Sequence, residues 1–177
     1  VSSQKNREIK FPSHVWVSSF LQVLILHTNL DSGNPESFYL PKLKVCHINP
    51  MKLCEHRFVG RLLSGCPSLE DFALDDCYCA DWIKAINISH PFHRRLRLYI
   101  HSTWSILRVV LDSPNLHYLD YKHNLSMQYS IGYMNTLDEA KIDIFKAYGN
   151  FQSTLSLLLT LKKCRSSNVV LLVVGLG

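Results

Sequence analysis

No stretch of this chain stays apolar for the roughly 20 residues that a membrane-spanning helix needs. Its two longest apolar-rich runs, Leu155–Leu161 and Val169–Leu176, are short and are separated by Lys162, Lys163 and Arg165. We therefore expect no membrane segment. No leader pattern of basic residues followed by an apolar core opens the sequence. The six cysteines (46, 54, 66, 77, 79 and 164) contain no C-x-x-C pair. That spacing fits no zinc finger and no disulfide framework. A chain of 177 residues can bury a core without disulfide staples, so a reduced, intracellular setting (cytoplasm or nucleus) is expected. Basic runs are missing too: the net charge of +5 comes from scattered Lys and Arg. This argues for solubility and against a nucleic-acid footprint.

Catalytic signatures are equally scarce. Neither G-x-x-x-x-G-K nor G-x-G-x-x-G occurs, so no phosphate-cradling loop is expected. Cys54 and His56 are the nearest nucleophile and base. Residues two apart on a helix do not face each other, and nothing nearby orients the histidine. His90-x-x-His93 with His101, and Cys66 with Cys77 and Cys79, match no common metal set. Asn87-Ile88-Ser89 and Asn124-Leu125-Ser126 are short sequons that arise by chance. The expectation is a chain that is not an enzyme and carries no cofactor and no metal.

What the chain has is a period. Arg61 to Cys77 reads as a short helix, a glycine stop, a proline bend and a strand. The strand part is Cys66-x-x-Leu69-x-x-Phe72-x-Leu74-x-x-Cys77, the L-x-x-L-x-L-x-x-N/C pattern of leucine-rich repeats. Related copies are Ser18-x-x-Leu21-x-x-Leu24-x-Leu26-x-x-Asn29, Leu40-x-x-Leu43-x-x-Cys46-x-Ile48 and Leu116-x-x-Leu119-x-Tyr121-x-x-Asn124. Met134-x-x-Leu137-x-x-Ala140-x-Ile142 is a further copy, His93-x-x-Leu96-x-Leu98 is degenerate, and Val169-x-x-Leu172-x-Val174 is the weakest. The second apolar slot falls at 21, 43, 69, 93, 116, 137 and 169. The first five gaps are 22, 26, 24, 23 and 21 residues, inside the repeat range of roughly 20–29; the last, 32, is not. Ile9 and Phe11 suggest a partial strand at the start. Ile83, Ile86 and Ile88 form another short apolar ladder. Phe58, Val59, Leu62 and Leu63 have helical spacing, with Gly65 placed to end the helix. Leu155–Leu161 suggests a helix that would absorb the long last gap. Only Asn29, Cys77 and Asn124 suit the polar slot; Met51, His101 and Phe145 do not.

These readings imply an α/β leucine-rich repeat solenoid, with a parallel β-sheet on the concave side and short helices and loops on the convex side. Each strand buries nothing alone; stacked about 4.8 Å apart, the strands share one core. Residues 1–150 form an array of about six irregular repeats. Residues 151–177 are a divergent C-terminal repeat or a truncated tail.

Leu40-Pro41-Lys42-Leu43-Lys44, Leu62-Leu63-Ser64-Gly65-Cys66-Pro67-Ser68-Leu69-Glu70 and Asp112-Ser113-Pro114-Asn115-Leu116-His117-Tyr118-Leu119 resemble plant F-box/leucine-rich-repeat proteins. The likeness covers roughly residues 7–145, and Phe11-Pro12 fits the entry to the first repeats. It implies a region that selects a protein substrate for a ubiquitin ligase. It also implies a Skp-type adaptor as partner, provided an F-box lies upstream of Val1, since none is visible in this sequence. The tail after about Asn150 departs from the family. Two alternatives remain: the repeat region of an immune sensor or receptor, or a truncated fragment without function. Receptor ectodomains usually show L-x-G-x-I-P and cysteine caps, and neither is present.

The concave face is the expected protein-binding surface. Its candidate contacts are Glu70, Asp71 and Asp75, then Arg94, Arg95, Arg97 and Tyr99, then Tyr118, Asp120 and Lys122. Ala73, Asp76 and His117 lie beside them. The competing reading is lateral pairing of Glu70 with Arg94, Asp71 with Arg95 and Asp120 with Arg97. Exposed pairs of that kind contribute only about 0–1 kcal/mol each. A strand inserted at 83–88 would change these neighbours. Seven strands give a face about 30 Å wide and about 17 Å tall. That is about 500 Å², against the roughly 800 Å² per partner of a standard interface, so loops or further repeats have to contribute.

Overall fold

The corners of the repeats set the architecture. Leu40-Pro41-Lys42-Leu43, Cys66-Pro67-Ser68-Leu69 and Ser113-Pro114-Asn115-Leu116 each close a tight turn. In each, the leucine N–H donates to the carbonyl of the first residue, at 3.1, 3.0 and 3.1 Å respectively. Proline fits the second position of such turns because its φ is already near −65°. Each corner leads into a strand whose apolar residues alternate with polar ones, so one face is buried and the other open. The computed structural model describes residues 12–31, 35–102, 107–124, 128–132, 134–145, 159 and 168–174.

The described strands are β1 (Val23–Asp31), β2 (Val45–Leu53), β3 (Asp71–Cys79), β4 (Ala85–Ser89), β5 (Arg95–Ser102), β6 (Arg108–Asp112), β7 (Tyr118–Asn124), β8 (Gln128–Ile131), β9 (Glu139–Phe145) and β10 (Asn168–Val174). A seven-stranded parallel sheet runs β1-β2-β3-β5-β7-β9-β10. The chain is a parallel β-solenoid of leucine-rich-repeat type. Leu24, Cys46, Phe72, Leu96, Leu119 and Ala140 are successive register partners, and all are buried. Leu26, Ile48, Leu74, Leu98, Tyr121 and Ile142 make a second buried row.

The back of the solenoid changes character along its length. Early turns return through a 3-10 turn, η1 (Ser13–Val17), and one short helix, α1 (Phe58–Ser64). Trp16, Phe38 and Phe58 pack edge to face there, with ring centroids 5.4–5.9 Å apart. From β4 onward the back is a second parallel sheet, β4-β6-β8, where helices and loops were expected. Ala85-Ile86-Asn87-Ile88-Ser89 and Arg108-Val109-Val110-Leu111-Asp112 explain this: both are rich in β-branched residues and bury every second side chain. Ile86, Ile88, Val109 and Leu111 close the core from that side. The ladder at 83–88 is thus a strand, but not of the main sheet, so β3 stays paired with β5.

Two register expectations need correction. Val169 pairs with Ala140, not one slot earlier, so the last period is 169 − 140 = 29 residues and returns to the repeat range. The run Asn168–Val174 is aliphatic after its first residue, so no polar alternation marks its phase. In β3, two residues (Asp75 and Asp76) stand against the single Tyr99 of β5, a bulge with Asp76 at φ 52°. It places Ile100, not His101, opposite Cys77. The ladder slot there is filled by buried Cys77 and Ile100. The partial strand at Ile9–Phe11, the helix at 155–161 as a whole, Cys164 and the side chains of Asn29, Asn124 and Phe145 lie outside the described residues.

Candidate functional site

The open face of the main sheet carries one row per alternate residue. Register brings Val45, Asp71, Arg95, Tyr118 and Glu139 into one row, and His47, Ala73, Arg97, Asp120 and Lys141 into the next. Asp75, Tyr99, Lys122 and Asp143 follow at the end nearer the bulge. Of the ten candidate contacts, Asp71, Asp75, Arg95, Arg97, Tyr99, Tyr118, Asp120 and Lys122 sit on this face. Glu70 and Arg94 sit at its rim, in the corners; each of their carbonyls accepts two backbone N–H groups from the next repeat.

Of the three expected lateral pairs, Asp71 with Arg95 forms and the other two are replaced. Asp71 meets Arg95 at 3.8 Å and also His47 at 3.1 Å. Glu70 pairs with Lys44 at 3.3 Å and not with Arg94. Arg97 stands opposite Asp120 in register but reaches Asp75 at 3.1 Å. Asp120 instead accepts the hydroxyls of Tyr99 at 2.7 Å and Tyr118 at 3.3 Å. The longer tyrosines fill the space between the rows. Arg95 lies over the Tyr118 ring, 4.7 Å from its centroid, and Lys122 lies over Tyr99 at 5.0 Å. Partial burial and the Asp120 carboxylate hold the Tyr99 hydroxyl protonated, well above its usual range. The centre of the face is thus two tyrosines on one carboxylate, capped by cations. This arrangement suits aromatic and charge-paired contacts with another protein. Ala73 is fully buried and offers no contact.

At the β1 end the face turns apolar. Val23 and Ile25 are 52% and 49% exposed, and sequence reasoning did not single them out. Their alternation with buried Leu24 and Leu26 was the available signal.

The comparisons with known proteins bear on this surface. The chain is 36% identical over 140 residues to the F-box/LRR-repeat protein At4g14103 of Arabidopsis thaliana, covering 77% of this chain and 36% of that protein. It is 34% identical over 141 residues to the F-box/LRR-repeat protein At4g14096 of the same plant, covering 77% and 29%. With the F-box protein At3g62430, also from Arabidopsis thaliana, it shares 29% over 122 residues, covering 64% and 28%. Its repeats belong to the plant F-box/LRR-repeat family. The chain spans about a third of the length of the curated relatives it matches. No family model matches, and no solved structure matches.

Within this F-box/LRR repeat region the remaining chemistry-bearing residues are placed apart. His90 and His93 stack at 4.3 Å, while His101 stacks on Tyr78 at 5.1 Å and bonds Asp76 at 3.1 Å. No cluster of three metal-ligating side chains exists among the described residues. Cys46, Cys66, Cys77 and Cys79 are buried and free. Burial pushes the thiols of Cys66, Cys77 and Cys79 up to about 12, and that of Cys46 further in the same direction. They are packing residues. No helix among the described residues is long and apolar enough to cross a membrane.

Proposed function

We propose that this chain is the substrate-recognition repeat region of an F-box-type ubiquitin-ligase subunit, working by binding and not by catalysis. The protein substrate contacts the open face of the main sheet, centred on Tyr99, Tyr118, Asp120 and Arg97. A Skp-type adaptor is engaged by an F-box in the full-length product, inside the cell. The observation that carries this reading is the row of in-register strands displaying the Tyr99–Asp120–Tyr118 and Asp75–Arg97 constellations. The F-box/LRR relatives support it. The face alone is smaller than a standard interface. Contacts from further repeats of the longer protein are therefore part of the proposal.

The test is a pull-down of the full-length protein with a Skp-type adaptor, combined with proximity labelling of neighbours. We expect adaptor association. We also expect labelled substrates that Tyr99→Ala with Arg97→Glu removes while the adaptor stays bound. Absence of adaptor association from the full-length protein sinks the ligase role. Neighbours unaffected by the double substitution sink the role of the sheet face.

A further inference from the structure

We propose a second docking site on the back of the solenoid: a trough over α1 that takes an extended acidic segment of a partner protein, paired as a strand along the free edge of β4. It lies away from the sheet face and does not rest on the role assigned there.

The trough encloses about 830 Å³ and crosses three successive repeats, from Glu36–Phe38 over α1 to β4. Its floor is one face of α1, from Arg57, Gly60, Arg61 and Ser64, spaced i, i+3, i+4 and i+7. The floor is low because two of these residues are small. A Cβ added at Gly60 would meet nothing within 4 Å. The second sheet begins only at β4, because the preceding repeat returns through a helix and not a strand. The sheet therefore has an edge beside this trough.

That edge has a defined polarity. The Lys84 carbonyl accepts from Arg108 N–H at 2.9 Å, and His90 N–H donates to the Asp112 carbonyl at 3.1 Å. In a parallel strand, residues alternate in the side to which both their backbone groups point. Ala85 and Asn87 therefore turn N–H and C=O away from β6, and both residues line the trough. Neither pairs with another strand among the described residues. An unpaired row of this kind reads the main chain of an extended peptide.

Charge and shape specify the rest. Arg61 is held by Glu55 at 3.1 Å and by the carbonyls of Pro35 and Glu36. Arg57 and Lys84 are exposed at the trough and have no ion-pair partner among the described residues. His56 stands beside them, and Glu36 is the one acid among the described lining residues. The surplus is cationic and suits Asp or Glu side chains. Trp82 is 65% exposed, and its indole N–H donates to the Cys54 carbonyl at 2.9 Å. This fixes the ring as a wall for one apolar side chain. Two unpaired cations spread over a strand edge fit a peptide better than a polyphosphate backbone.

The test uses the whole chain and fluorescein-labelled octapeptides read by fluorescence anisotropy at low salt. One alternates Val and Glu, a second alternates Val and Lys, and a third is the Val-Glu peptide N-methylated at alternate amides. We expect saturable binding of the Val-Glu peptide alone, weakening as salt is raised. Arg57→Glu with Lys84→Glu should weaken it at least tenfold. Gly60→Leu should abolish it while leaving the circular dichroism spectrum and thermal midpoint at least unchanged, since the site is open. Tyr99→Ala, on the sheet face, should leave it intact. Equal binding of the Val-Glu and Val-Lys peptides overturns the acidic assignment. Full binding of the N-methylated peptide overturns strand pairing. Unchanged binding by Gly60→Leu overturns the site. A dimer in light scattering that Gly60→Leu dissociates assigns the trough to a second copy and also overturns the proposal.

Discussion

His93 occupies a slot that five other repeats give to leucine, and four of these, Leu43, Leu69, Leu116 and Leu137, are fully buried. It too is fully buried, stacked between Phe72 at 5.7 Å and His90 at 4.3 Å, and neither ring nitrogen has a hydrogen-bond partner. His90 is better served: its Nδ1 accepts from Phe92 N–H and its Nε2–H donates to the Cys66 carbonyl. Burial, reinforced by His90, lowers the His93 pKa from 6.5 to about 3. The folded state thus binds fewer protons than the unfolded one below pH 6.5. The stability this residue leaves intact above pH 6.5 is lost as pH falls towards 3, at about 1.4 kcal/mol per pH unit. His93→Leu should raise stability at pH 7 by about 1–3 kcal/mol, because two unsatisfied buried groups disappear. It should also flatten the pH dependence of urea midpoints across that window. An unchanged pH profile would show that His93 is not the titrating group. The sequence marked His93 as the flawed copy of its repeat, but its lack of partners depends on what packs around it.

At the scale of elements, the corners are stitched to one another. Ser68 donates to the Pro41 carbonyl at 2.8 Å, Asn115 to that of Pro91 at 2.7 Å and Thr136 to that of Pro114 at 2.9 Å. Each donor follows the second position of its turn, so the bond takes the same place in three of the repeats. Asn115→Ala should cost about 0.5–1.5 kcal/mol in chemical denaturation. The helix α1 makes a sharper prediction. At Gly65, which ends it, a Cβ would lie 2.6 Å from both the Cβ and the carbonyl oxygen of Phe38. Phe38 is itself packed between Trp16 and Phe58. Gly65→Ala should therefore destabilise by about 1–3 kcal/mol, whereas Gly60→Ala, in the open helix interior, should stabilise by about 0.5–1 kcal/mol. Thermal midpoints of the two variants should move in opposite directions. The glycine stop was readable from spacing; the second sheet behind β5 was not, because a short Ile-rich ladder fits either sheet.

In the whole molecule, stability is a sum over neighbouring repeats, since each strand touches mainly the one before and the one after. Phe72 sits mid-stack against Cys46 and Leu96. Phe72→Ala should cost about 3–5 kcal/mol, and hydrogen exchange should show protection lost first across β2, β3 and β5 and last in β9. Uniform loss would mean that the stack unfolds as one unit. The row Leu24–Cys46–Phe72–Leu96–Leu119 and five of the six periods were legible in the residues alone, because a strand with one buried face must place aliphatic groups at a fixed interval in every turn. The candidate face was legible for the same reason, as the complement of that row. Which acid meets which base was not: Asp120 bonds two tyrosines and Arg97 reaches past it to Asp75, because side-chain length and the bulge at Asp76 choose among neighbours that the register makes equivalent. Nor was the trough over α1 visible, since it arises where a helix and a strand from successive turns come side by side, and contacts across some 25 residues leave no local pattern in a chain.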